Sequence, residues 1–206
     1  MSQLLVVTAV SAERDAIAAG WPGPVHAVGV GSAAAAAATA RLLVEGRYEA
    51  VVCAGIGGGF AGRVEVGGTA LATASIAADL GADAPDGFIP LSVLGFGDER
   101  AAVDPDLLGM LRDALPHAVV GEVLTVNTVT GTAAGTRALA DRHPGAVAEA
   151  MEGYGVAVAA AGAGARFVEV RTIANAVGPR DRAGWRIPAA LTALTEVGRA
   201  LGKLDW

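Results

Sequence analysis

Short apolar runs alternate with helix-length segments through almost all of this 206-residue chain, and that alternation restricts the fold more than any other feature. Residues 4–10, 25–30, 50–54, 68–74, 119–126, 146–151 and 166–173 have the apolar, β-branched character of buried strands. Between them, residues 11–19, 32–45, 104–114, 135–143, 153–163 and 188–201 have helical patterning. Ser11 is the expected N-cap of the first helix, Asp104-Pro105 opens the third helical segment, and Pro144 follows the end of the next. Strands that are apolar throughout need cover on both faces. The expectation is one α/β domain over residues 1–206, with three α/β/α layers around a mixed, largely parallel sheet.

Composition excludes several functional classes. A net charge of −6 with no clustered cations argues against nucleic acid and anionic membranes as partners, because phosphates require grouped Lys and Arg. The single lysine, Lys203, lies near the C-terminus, so a phosphate-loop or Schiff-base lysine is not expected. His26, His117 and His143 lack metal-ligand spacing, and neither a metal nor another cofactor is expected. Cys53, the single cysteine, sits in an apolar run and reads as a buried, inert thiol. The first apolar run is soon interrupted by Glu13, Arg14 and Asp15, which suits a strand better than a leader. Glu149 and Glu152 break the best window for a bilayer span. A cytoplasmic protein is the expectation.

In such sheets, ligands bind beyond the carboxyl ends of strands. Glu13, Gly57, Glu152 and Asn175 each fall just after an expected strand. Asp79, Asp83 and Asp86 fall in an expected loop. Gly29-Val30-Gly31-Ser32-Ala33-Ala34 fits a dinucleotide fingerprint, yet it follows the second strand, and the third ends without an acid for an adenosine ribose.

Taken in order, these residues resemble the nucleoside phosphorylase and nucleosidase superfamily over nearly the whole chain. The likeness rests on Val10-Ser11-Ala12-Glu13, the turn Gly29-Val30-Gly31, the glycine run 55–59, Met151-Glu152 and the strand ending at Asn175. The run from Asn175 to Arg182, with Trp185, is most similar to the futalosine-cleaving branch, which works in a route to menaquinone. Against methylthioadenosine/S-adenosylhomocysteine nucleosidases there are departures. Their adenine-contacting aspartate is Asn175 here, the serine before it is Ala174, their Glu-Met-Glu run is Ala150-Met151-Glu152, and a serine of their glycine segment is Ile56.

The resemblance implies hydrolysis of an N-glycosidic bond with a nucleoside and water as partners, no cofactor, and assembly into a homo-oligomer. It makes Glu13 the base that orients water and Asn175 the group that handles the departing purine. Glu152 would bind the ribose hydroxyls, Met151 would pack on the sugar, and Gly57 and Gly58 would bring backbone N–H groups close. Trp185 would wall off the base or fill the core. Arg180 and Arg182 flank Asp181; an exposed ion pair with it is the first reading and contact with a substrate carboxylate the second. A phosphorylase would need cations and a hydroxyl around its anion, which residues 55–59 do not supply.

Overall fold

The computed structural model describes residues 4–204. The chain begins with β1 (Leu4–Thr8), α1 (Ser11–Ala18), β2 (Val25–Ala27) and α2 (Ser32–Glu45). It continues through β3 (Ala50–Gly59), β4 (Thr69–Ala77), β5 (Gly81–Ala84), β6 (Gly87–Pro90), α3 (Leu91–Leu94) and β7 (Arg100–Ala102). Then follow α4 (Pro105–Ala114), β8 (Val119–Thr125), α5 (Ala133–Arg142), β9 (Ala146–Ala150), α6 (Gly153–Ala163), β10 (Arg166–Ala176) and α7 (Ile187–Leu201).

An eight-stranded sheet forms the middle layer, in the order β10-β4-β8-β9-β3-β1-β2, with β7 on β4. The pairs β1–β2, β1–β3, β3–β10, β4–β8 and β8–β9 are parallel. The pairs β4–β10, β3–β9 and β4–β7 are antiparallel. Because β10 pairs with both β3 and β4, one half of the sheet closes on itself as a small ring and the other half stays open. α1 and α7 pack together on one face, over a core of Leu4, Val6, Ile17, Leu71, Val170 and Leu194. α2 and α6 pack on the other, over Leu5, Val7, Val51, Val156 and Phe167. These are the expected three layers. Among the described residues, no helix is long and apolar enough to cross a membrane.

Several element boundaries differ from expectation, for physical reasons. Ser11 lies inside α1, whose N-cap is Val10; the backbone donors there are taken by Glu13 instead. Asp104 caps α4 as expected, accepting from the amides of Asp106 and Leu107. The glycine run 55–59 is strand, because β10 pairs with it from Gly55 to Gly59. β10 in turn reaches Ala176, so Gly57 and Asn175 stand within strands and not beyond them. The acidic segment around Asp83 and Asp86 is the β5–β6 hairpin.

Candidate active site

Glu13 lies at the first turn of α1 and is buried. Its Oε2 accepts from the amides of Ala9 at 2.9 Å and Val10 at 3.2 Å, and its Oε1 from the amide of Ile56 at 2.9 Å. Three backbone donors from two elements therefore fix one carboxylate, each a charge-assisted hydrogen bond. Gly55 keeps the space behind it open: a Cβ there would stand 2.7 Å from Arg171 Nη1 and 3.1 Å from Glu13 Oε1. Any larger residue at this position would force those two groups to shift.

Glu152 follows β9 and is also buried. Its Oε1 accepts from the Gly31 amide at 3.1 Å, and its Oε2 from the Met151 amide at 3.3 Å and Arg171 Nη1 at 3.1 Å. The glycine turn that fits a dinucleotide fingerprint thus serves to hold a carboxylate. Arg171 is 1% exposed. Its Nε donates to Glu169 Oε1 at 2.8 Å and its Nη2 to Cys53 Sγ at 3.2 Å. Burial holds the Cys53 thiol far above its ordinary range, consistent with an inert side chain. A buried guanidinium is tolerable only because two acids accompany it.

Asn175 is half-buried near the end of β10, with Nδ2 donating to the Ala176 carbonyl at 2.8 Å. It pairs across the sheet with Gly58, whose other neighbour is Glu149 on β9. Glu149 is buried; the amide of Thr130 donates to its Oε1 at 2.9 Å and the Thr130 hydroxyl to its Oε2. Burial pushes the Glu149 carboxyl above the usual carboxylate range, opposed by those Thr130 hydrogen bonds.

Glu13, Glu149, Glu152 and Asn175 meet at one cavity of about 270 Å³. Glu13, Gly57, Gly58, Met151, Glu152, Asn175 and Trp185, the seven residues singled out in the sequence, all line it. Trp185 is half-buried, so it is a wall of the cavity and not a core side chain. Arg180 and Arg182 are placed over its ring, each 5.8 Å from the centroid. This differs from the expected ion pair with Asp181, which instead accepts from the Ala183 amide; an aromatic face holds a guanidinium at comparable cost.

Sequence reasoning passed over Glu149, Thr130 and Arg171. A signal was present for two of them. Glu149 and Arg171 are charged residues inside otherwise apolar strands, which must find partners if buried. Thr130 sits in a polar connection with nothing to set it apart.

An α/β sheet that gathers three carboxylates, an amide and an aromatic ring at one cavity has the groups that can hold a nucleoside. The model of the phosphorylase superfamily matches residues 17–203. Futalosine hydrolase of Streptomyces coelicolor is 50% identical over 225 aligned positions, covering 98% of this chain and 94% of that protein. Futalosine hydrolase of Acidothermus cellulolyticus is 49% identical, covering 96% and 89%. In fold, the chain is similar to a Streptococcus pneumoniae methylthioadenosine/S-adenosylhomocysteine nucleosidase solved with 8-aminoadenine, with a TM-score of 0.85, 16% identity and 99% and 100% coverage. The chain belongs to the phosphorylase superfamily and, within it, to the family of futalosine hydrolases.

Proposed function

We propose that this chain hydrolyses the N-glycosidic bond of futalosine and releases hypoxanthine, with Glu13, Glu152 and Asn175 as the working groups. The observation that carries the reading is their convergence, from α1, the end of β9 and the end of β10, on a single cavity. Cleavage of such a bond passes through a sugar with oxocarbenium character. Water must be aimed at the anomeric carbon, the cationic ribose held and the departing base neutralised.

Glu13 takes the first task. Its three backbone donors leave the carboxylate no freedom to swing away, so it orients water and accepts its proton. Glu152 takes the second, accepting from the ribose 2′- and 3′-hydroxyls and placing negative charge near the cation. Met151 packs on the sugar, and Gly57 and Gly58 admit the backbone close to it. Asn175 takes the third. One N–H is committed to Ala176; the rest of the carboxamide offers both a donor and an acceptor, matching O6 and N7–H of the leaving hypoxanthine. Trp185 closes the cavity over the base. The reading also places the enzyme in the cytoplasm, a step in menaquinone formation, as a homo-oligomer; exposed Val93 and Phe96 on and beside α3 leave apolar surface that a second copy would cover.

Chromatographic product analysis tests this with futalosine, inosine, methylthioadenosine and aminodeoxyfutalosine, each with and without phosphate. The expected products are hypoxanthine and dehypoxanthine futalosine, formed without phosphate. A sugar phosphate as product, or faster cleavage of the 6-amino substrates, overturns it.

A further inference from the structure

We propose that Glu149 is a specificity-determining residue that reads the N1–H of a 6-oxopurine from the side of the cavity opposite Asn175. This rests on the reading of the site as one that cleaves a purine nucleoside, and adds to it a residue to which no role has been given so far.

The sheet register places the two side chains. Glu149 on β9, Gly58 on β3 and Asn175 on β10 are direct cross-strand partners in one row. Residues directly opposite one another point to the same face. Two strand spacings make that row roughly 10 Å wide, and its middle position has no side chain. A Cβ on Gly58 would lie 3.3 Å from Asn175 Nδ2 and 3.2 Å from Val177, so glycine leaves a trough with an amide on one bank and an acid on the other. A purine lying in that trough turns its O6/N7 edge to Asn175 and its N1 to Glu149.

The chemistry of the two partners matches. Among the described residues, no Lys or Arg pairs with Glu149; its polar partners are the amide and hydroxyl of Thr130, one on each oxygen. An ionised carboxylate has about four acceptor positions, so capacity remains on the cavity side. A buried acid without a cation is costly, and a ligand N–H would offset that cost. Hypoxanthine carries a hydrogen on N1 and supplies it. Adenine has a bare N1 lone pair, which would face the carboxylate as acceptor against acceptor. Burial also raises the proton affinity of Glu149, and the Thr130 donors hold the acceptor form in place.

The test is steady-state kinetics of the full chain and E149Q on futalosine and on its 6-amino counterpart, aminodeoxyfutalosine. In E149Q, kcat/KM on futalosine falls about 10- to 100-fold more than on the 6-amino substrate, the scale of a lost hydrogen bond to a charged group. Equal losses on both substrates overturn the inference and leave Glu149 as structural support for Thr130, while futalosine cleavage by the unaltered chain keeps the functional reading intact. If the unaltered chain cleaves no 6-oxopurine nucleoside, both fall. Should E149Q fail to fold, calorimetric binding of hypoxanthine and 1-methylhypoxanthine to the unaltered chain decides. Binding at least tenfold weaker for the methylated base is expected, and equal affinity overturns the proposal.

Discussion

Glu13 is held by hydrogen bonds that only a carboxylate can satisfy, and this sets what its replacement does. In Glu13→Gln, an NH2 group must face either the Ala9 and Val10 amides or the Ile56 amide, donor against donor. The expected result is a fall in kcat of about 10²–10⁴-fold, the usual contribution of a positioned general base, with KM for futalosine moving much less. Steady-state assays on the purified variant check it, and a loss below tenfold removes Glu13 from the role. Gly55→Ala acts on the same acid from behind. The added methyl would press on Arg171 Nη1 and Glu13 Oε1, with an expected cost of about 1–3 kcal/mol from overpacking and at least tenfold lower activity. Urea unfolding alongside the assay separates the two effects; unchanged activity and stability would show that Arg171 and Glu13 can move aside. The place of Glu13 at the cavity was legible from its position after a first strand taken together with the family resemblance. Gly55 was legible only as one of a run, because its role depends on an arginine 116 positions later in the chain.

At the scale of the element, β10 does the most. It carries Glu169 and Arg171 inward and Asn175 to the cavity, and by pairing with both β3 and β4 it closes one half of the sheet. Removing the guanidinium leaves two buried acids facing each other without a cation. Arg171→Met is therefore expected to lower stability by about 3–5 kcal/mol, as when one partner of a buried pair is removed. It also frees Glu152 from one of its three donors, so KM for the nucleoside should rise in whatever fraction stays folded. Chemical denaturation and assays below the transition check both parts, and a variant as stable as the parent would show that the buried charges are not coupled. The elements themselves were largely legible, since apolar runs and helix signals are local. Their ends were not. Glycines are poor strand formers, and residues 55–59 become strand because β10 offers them a continuous partner. The same pairing extends β10 past Ile173 to Asn175, across a shift in register. The β5–β6 hairpin was hidden for a similar reason: its polar, turn-rich residues become strands only by pairing with each other.

For the molecule as a whole, the layered architecture could be inferred from alternation alone, but the closing of one half of the sheet could not. No local pattern says that β10 will pair with both β3 and β4, and that closure is what brings β9 across the end of β3 and Glu149 into line with Asn175. It also buries charge, which makes stability depend on pH through groups of opposite sign. Burial, then Arg142, holds His143 below its ordinary value of 6.5. Arg142 Nε donates to His143 Nε2 at 3.3 Å, so a proton on that nitrogen would displace the contact and face a cation. Between the depressed native value and 6.5, the unfolded chain holds a proton at this site that the native chain does not, so stability falls as pH drops through that window. Glu149 and Glu169 act the other way. Burial raises both carboxyls, the native state holds more protons than the unfolded state just above 4.5, and their cost is relieved as pH falls toward that value. Comparing His143→Gln with the parent isolates the imidazole, since the acids are common to both and glutamine still accepts from Arg142. Thermal or urea unfolding from pH 7.5 to 5 should show the parent losing stability more steeply than the variant below pH 6.5. Parallel curves would mean that His143 takes up its proton in the folded protein without penalty.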